Sequence, residues 1–164
     1  MKLLFIRNRQ RAVPVSIPYV RKVLLHLMEN ELGLDTYELG AHLVGPKEMA
    51  RINRTYLQHE GPTDVITFPY TDPPALHGEL FVCPSVARLQ SREFKTSWQA
   101  EVVRYLAHGI LHLQGHDDRE PAKRRLMKRE ENRLMRRLER RFQLAAISSV
   151  AGRKKLQSGR PKPP

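Results

Sequence analysis

Residues 102–118 read VVRYLAHGILHLQGHDD, and this stretch decides the fold of the chain. Its apolar residues recur at the three- and four-residue spacing of an α-helix, on a face wide enough to be buried against a sheet. A capping box of Thr96 and Gln99 predicts that this central helix begins at Thr96, and Gly115 is well placed to end it. The apolar residues of the face are Val102, Val103, Leu106, Ala107, Ile110 and Leu111.

Strands and helices alternate before this central helix. Runs of β-forming residues, bounded by Gly, Pro or polar residues, predict four strands, and helical spacing with Pro or Gly at the ends predicts the helices. The predicted strands cover residues 2–8, 37–44, 65–68 and 78–82. The predicted helices cover about 20–32, 49–56 and 84–94.

A long helix is predicted after the central one, from Glu120 to about Leu144. Apolar residues lie on one side of it and arginines elsewhere, so one side covers the core. The whole pattern predicts a single-domain α+β fold, with a small mixed sheet of about four strands flanked by helices. The apolar residues of the long helix are Leu126, Met127, Leu134, Leu138 and Phe142.

Positive charge is concentrated in the C-terminal part of the chain. Of the 29 Lys and Arg residues 16 lie in residues 119–164, which hold only 4 of the 17 acidic residues. This excess accounts for the net charge of +12 and indicates a polyanionic partner, nucleic acid rather than a membrane. The alternative is a solvated helix face with a tail that improves solubility. We predict a domain at residues 1–145 and a basic, disordered tail at 146–164.

The composition is that of a globular protein in a reducing compartment. Forty per cent of the 164 residues are hydrophobic, and no apolar run is long enough to span a bilayer. The apolar opening is too short for a secretory signal peptide. Cys83 is the only cysteine, so no internal disulfide can form. These features predict a cytoplasmic protein.

The histidines of the opening stretch have the spacing of metal ligands. His108 and His112 are four residues apart, which places them on one face of a helix about one turn, ~6 Å, apart. A third ligand must come from beyond the helix, and Asp118 follows the turn at Gly115. Zn²⁺ accepts imidazole and carboxylate ligands and keeps one position open in hydrolytic sites. The alternative is a polar helix C-terminus that binds no metal.

Two neighbouring positions limit the chemistry of such a site. Metallopeptidases with this histidine spacing carry a glutamate after the first histidine as the general base, and here that residue is Gly109. A peptidase is therefore disfavoured. Glu101 lies on about the same helix face and is a candidate to orient a ligand imidazole. We nevertheless favour an exposed acid of the first helical turn at this position.

Three motifs in this order resemble the YbeY family of rRNA-maturation endoribonucleases. They are residues 53–56 leading into 62–69, the Gly-acid-Leu strand at 78–80, and the pattern His-Gly-x-Leu-His-Leu-x-Gly-x-Asp at 108–117. The resemblance covers about residues 2–140. It implies an α+β fold whose central helix carries the ligands of one zinc ion. It also implies 16S rRNA 3′-end processing, late small-subunit maturation and rRNA quality control in the bacterial cytoplasm, with rRNA precursors and the small ribosomal subunit as partners.

The chain departs from the family pattern at two positions. The family has a third ligand histidine where this chain has Asp118, so either Asp118 or His116 completes the shell, and the register favours Asp118. The family also has an arginine where this chain has Leu57, and Arg54 is the candidate to bind substrate in its place. These departures leave a second hypothesis open, a non-catalytic ribosome-assembly or RNA-binding factor with a structural metal. The catalytic base is not assigned.

Overall fold

Four strands form one mixed β-sheet in a computed structural model, which describes residues 1–59, 61 and 63–148. They are β1 (Lys2–Asn8), β2 (Tyr37–Leu43), β3 (Val65–Pro69) and β4 (His77–Val82). Their order across the sheet is β1-β2-β4-β3, where β1, β2 and β4 are parallel and β3 is antiparallel to β4. The four predicted strands are confirmed to within one residue at each end, and so is the mixed sheet of an α+β fold.

In the residues that the structure describes, five α-helices flank the sheet, and proline marks the start of four of them. It occupies one of the first two positions of α1, α2, α3 and α5, where its missing N–H costs no helical hydrogen bond. A π-helical turn at Leu27–Glu31 extends α1, and a 3-10 turn at Leu144–Ile147 follows α5. The helices are α1 (Ile17–His26), α2 (Pro46–Leu57), α3 (Pro84–Phe94), α4 (Trp98–Leu113) and α5 (Pro121–Arg141). Within the described ranges, no helix is long and apolar enough to cross a membrane.

Two glycines bring α4 close to the sheet. A Cβ added to Gly109 of α4 would lie 3.1 Å from Val65 Cγ2 and 3.2 Å from Leu80 Cδ2. A Cβ added to Gly78 of β4 would lie 2.5 Å from the Phe68 carbonyl oxygen. The predicted apolar face of α4 is buried here, because all six of its residues are at most 1% exposed. This close approach fixes the height of α4, and hence of its C-terminal end, above the sheet.

The capping residue of α4 is Ser97, and the prediction of Thr96 is wrong. Ser97 Oγ accepts a hydrogen bond from the Ala100 backbone N–H at 3.1 Å. Thr96 instead donates through its Oγ1 to Glu101 Oε1 at 3.0 Å. Both residues are good caps by type, so their side-chain preferences alone did not fix the register of the first turn.

The apolar side of α5 is confirmed except at Leu126 and at the end of the helix. Leu126 is 58% exposed, because it is about 100° around the helix from the buried Met127, and only one of the two can face the core. The helix ends at Arg141, and the chain continues as the 3-10 turn, whose Ile147 is fully buried. Residues 149–164, most of the predicted tail, lie outside the described residues, so the tail stays a prediction.

Candidate metal centre

The end of α4 and the following turn bring two imidazoles and one carboxylate together. His108 and His112 lie one helical turn apart, with ring centroids 4.7 Å from each other. Gly115 adopts a φ of +102°, a left-handed conformation that suits glycine and turns the chain back. As a result, Asp118 Oδ2 lies 3.7 Å from His108 Nε2 and 3.5 Å from His112 Nε2. The predicted group of three residues is therefore assembled, with its donor atoms all within 4.8 Å of one another.

This cluster fits a divalent cation such as Zn²⁺. Zinc binds imidazole nitrogen and carboxylate oxygen at about 2.0–2.1 Å, so two ligands of a tetrahedral site lie about 3.3 Å apart. The two distances from Asp118 to the imidazoles are close to that value. The cluster offers three protein donors, which is the number that a hydrolytic zinc site uses when it keeps one position open.

A buried glutamate of α5 holds the first imidazole in place. His108 Nδ1 donates to Glu131 Oε2 at 2.8 Å, and Glu131 is only 5% exposed. The second carboxylate oxygen, Glu131 Oε1, accepts from Arg104 Nη1, also at 2.8 Å. Because the proton of the imidazole is then on Nδ1, the lone pair of Nε2 points toward Asp118, as a metal ligand requires.

The charges of the centre shift the pKa values of its residues in opposite directions. Burial lowers the pKa of His108, but the hydrogen bond and the negative charge of Glu131 outweigh it and raise this pKa above its usual value. Burial, together with the positive charge of His108, lowers the pKa of His112. Burial raises the pKa of Glu131, but hydrogen bonds from His108 and Arg104 lower it overall. Glu131 is therefore ionised at neutral pH.

Three neighbouring residues correct or complete the sequence interpretation. The ring of His116 does not belong to the cluster that His108 and Asp118 form in the described part of the chain. Glu101, expected to be exposed, is only 8% exposed, and its carboxylate accepts from Thr96 rather than from a ligand imidazole. The carboxylate that orients His108 belongs to Glu131, which the sequence analysis missed.

A sequence signal for Glu131 did exist. Its position lies on the buried side of α5, between Met127 and Leu134, so it is an acidic residue within an apolar stripe. A carboxylate at such a position needs a buried hydrogen-bond partner, and that need points to a functional contact.

Arg54, the predicted substrate-binding residue, is not brought to the cluster. It is exposed in the last turn of α2, and it does not line the cleft beside the cluster in the part of the chain that the structure describes. Leu57, at the end of the same helix, is 41% exposed. The role of Arg54 therefore stays a prediction.

A cleft of about 480 Å³ opens beside the cluster, between α3, α4 and α5. His108 and Asp118 lie on its wall, and Arg124 and Lys128 of α5 add two cationic side chains. Arg124 is held in position, because its Nε donates to the Asp118 carbonyl oxygen at 2.9 Å. The cleft thus combines a candidate metal centre with groups that bind phosphate.

Fold and site together define the class: a small α+β protein with a two-histidine, one-aspartate centre at the end of a buried helix. The family model described as Endoribonuclease YbeY matches residues 5–139. The chain therefore belongs to the endoribonuclease YbeY family, and the resemblance read from the motifs is confirmed.

Individual relatives agree with this assignment. The endoribonuclease YbeY of Chlorobium luteolum is 39% identical over 106 residues, which cover 65% of this chain and 77% of the relative. That of Parabacteroides distasonis is 31% identical over 128 residues, which cover 76% of this chain and 90% of the relative. The solution structure of TM1509 from Thermotoga maritima superposes with a TM-score of 0.63 at 22% identity, over 98% of both chains, and supports the fold.

Proposed function

We propose that this protein is a zinc-dependent endoribonuclease that cleaves single-stranded RNA. In this proposal it processes the 3′ end of 16S rRNA and acts in late small-subunit maturation and rRNA quality control. Its partners would be rRNA precursors and the small ribosomal subunit in the bacterial cytoplasm. Membership of an endoribonuclease family supports the reaction class. The observation that carries the zinc dependence is the cluster of His108, His112 and Asp118.

The residues of the centre have distinct tasks in this proposal. His108 and His112 would bind the metal through Nε2, and Asp118 would add a carboxylate oxygen that lies 3.7 and 3.5 Å from these two atoms. One bound Zn²⁺ would polarise the scissile phosphodiester and make water a better nucleophile at neutral pH. Glu131 keeps His108 in the tautomer that leaves Nε2 free.

The substrate is held by cationic side chains. Arg124 and Lys128 line the cleft beside the cluster, where their charges bind RNA phosphates without reading the bases. Arg54 would contact a more distant part of the RNA, since its helix does not line this cleft. Gly109 argues against the peptidase alternative, because no carboxylate follows the first histidine and a Cβ at this position would already lie 3.1 Å from Val65 Cγ2.

Cleavage of a single-stranded RNA by the purified protein, with zinc measured by mass spectrometry, tests the proposal. His112→Ala is expected to lose both stoichiometric zinc and cleavage, while His77→Ala, a histidine outside the cluster, is the matched control and should keep both. Asp118→Asn should weaken zinc binding more than His116→Ala. Cleavage that persists in metal-free protein or in His112→Ala would overturn the proposal.

Leu57 favours one alternative function. It stands where the family pattern has an arginine, and leucine cannot bind phosphate, so a non-catalytic RNA-binding assembly factor with a structural metal is the second candidate. This alternative predicts salt-sensitive binding to small-subunit RNA without turnover. Robust cleavage that His112→Ala abolishes would exclude it.

A further inference from the structure

Four arginines lie in a row on the side of α5 that faces away from the domain. All four are exposed. At about 100° per residue they fall within a sector of roughly 60°, on the side opposite the buried Leu134 and Leu138. The members of this arginine row are Arg125, Arg129, Arg136 and Arg140.

The charges of the row are not neutralised within the protein. None of the four forms an ion pair with an acidic residue anywhere in the described ranges. Other arginines of α5 do form ion pairs: Arg133 pairs with Glu130, and Arg137 pairs with Glu31. Glu139, the acidic residue beside the row, is not within ion-pair distance of any member. Like charges four residues apart repel each other, so the row is poised for a polyanion.

The length of the row suits several consecutive phosphates. Its members are separated by four, seven and four residues, which gives a total axial length of roughly 22 Å. A stacked nucleic-acid strand advances about 3.4 Å per nucleotide, so a strand lying along the row would present roughly six phosphates to it. Guanidinium groups bind phosphate oxygens in a bidentate manner, which favours arginine for this contact.

The N-terminal end of the row lies next to the candidate metal centre. Helix α5 begins three residues after Asp118, and Arg124 donates to the backbone carbonyl oxygens of Asp118 and Arg119. The first member of the row directly follows Arg124 in the chain. A strand that leaves the cleft at this end of α5 therefore meets the row first at Arg125 and continues along it.

We propose that the arginine row is a docking surface for the backbone of the substrate RNA outside the cleavage site. This inference rests on the proposed endoribonuclease function and adds where a longer substrate is held. An anionic membrane is the less suitable occupant, because a helix that lies on a membrane needs a broad apolar face. On the exposed side of α5, Leu126 is the large apolar residue beside the row.

The test compares two variants that remove the same amount of charge. One replaces the four arginines of the row by glutamine. The matched control replaces four exposed cations on other faces, none of them in an ion pair among the described residues. The control substitutions are Arg11→Gln, Lys22→Gln, Lys47→Gln and Arg92→Gln.

Binding of a non-cleavable 20-nucleotide 2′-O-methyl RNA to the zinc-loaded proteins is measured at several salt concentrations. The slope of log K against log salt concentration should fall by about 3 in the row variant, because each phosphate contact contributes about 0.7. We expect the affinity near physiological salt to fall about tenfold or more. The control should keep the slope. An equal decrease of the slope in both variants would overturn the inference. It would also be overturned if the row variant lost binding to phosphatidylserine vesicles but bound RNA as well as the wild type does.

Two further measurements separate the possible failures. Cleavage of RNA by the wild-type protein tests the proposed function alone. If the wild type does not cleave RNA but the salt slope still falls in the row variant, the proposed function is overturned and the docking surface is supported. Thermal melting checks folding, and the row variant should melt no lower than the wild type, because repulsion is removed. If it does melt lower, the double variant Arg129→Gln, Arg136→Gln should still lower the slope by about 1.4, and an unchanged slope overturns the inference.

Discussion

Replacing Glu131 by glutamine tests whether its carboxylate positions the candidate metal ligand His108. The carboxylate accepts from His108 Nδ1 on one oxygen and from Arg104 on the other, both at 2.8 Å. Glutamine has nearly the same shape, but its amide has one acceptor oxygen, and its NH₂ group would face the second donor. One of the two partners must therefore lose its acceptor in this buried position.

The contacts set the size of the expected effect. Hydrogen bonds to charged groups contribute about 1.5–3 kcal/mol each. The side chain of Arg104 is 27% exposed and can turn toward water, so we expect metal-free Glu131→Gln to lose about 2–3 kcal/mol of its free energy of unfolding. Loss of the group that orients a metal-bound histidine typically lowers metal affinity about 10–100-fold. We expect a decrease in zinc affinity within that range.

Glu130→Gln is the matched control. Glu130 is the neighbouring residue, but it pairs with Arg133 on the surface, so its loss should cost less than about 1 kcal/mol and leave zinc affinity unchanged. Urea unfolding measures stability, and competition with a chelator measures zinc affinity. The ¹⁵N chemical shifts of His108 report its tautomer. If Glu131 had only a structural role, the tautomer would be the same in Glu131→Gln as in the wild type. Zinc affinity within twofold of the control, with an unchanged His108 tautomer, would refute the positioning role.

Three further substitutions test the packing and the electrostatics of the fold. Gly78→Ala places a Cβ 2.5 Å from a backbone oxygen that cannot move aside, so we expect a loss of about 3 kcal/mol in urea unfolding. In Gly109→Ala the added Cβ meets only side-chain atoms, the nearest at 3.1 Å, and alanine has the higher helix propensity. We therefore expect this variant to lose about 1 kcal/mol or less of its free energy of unfolding. An equal loss in the two glycine variants would contradict this expectation. Burial raises the pKa of Glu31, but hydrogen bonds from Arg137 and a nearby histidine lower it overall. The carboxylate of Glu31 therefore stabilises the fold above its unfolded pKa of about 4.3 and ceases to do so as the pH falls through its lower folded pKa. Glu31→Gln should thus be less stable than the wild type by about 0.5–1 kcal/mol at neutral pH. This difference should shrink as the pH falls below about 4.3 and vanish below the folded pKa, and a difference independent of pH would refute this reasoning.

Local sequence patterns were sufficient for most of the fold. The apolar stripe of α4 and the proline at the start of α5 each reflect physics that acts within one or two helical turns. The spacing of His108 and His112 is local in the same sense, and Asp118 follows from the turn at Gly115. Each of these features could therefore be predicted without knowing the tertiary structure.

Contacts between distant segments could not be predicted in this way. Glu131 is 23 residues from His108 in the chain, and its contact exists because α5 packs across α4. Whether an arginine is paired is also a tertiary property. Arg137 pairs with Glu31, 106 residues away in the chain, whereas the exposed Arg136, one residue earlier, forms no ion pair among the described residues. That Ser97 caps α4 in place of the predicted Thr96 could not be read from residue type either, because both types are good caps.

The charges around the centre favour a cation there and an anion along α5. Two carboxylates, those of Asp118 and Glu131, flank the imidazoles, and the positive charge of Arg104 compensates only that of Glu131. The remaining negative charge of Asp118 attracts a cation. The hydrogen bond and the negative charge of Glu131 are the main cause of the raised pKa of His108, to which Asp118 adds a smaller contribution. A carboxylate at Asp118 makes this preference stronger than a neutral imidazole would, because the candidate ligand itself is charged. The arginine row is therefore suited to the polyanionic substrate, while the cluster provides negative charge where a metal ion would sit.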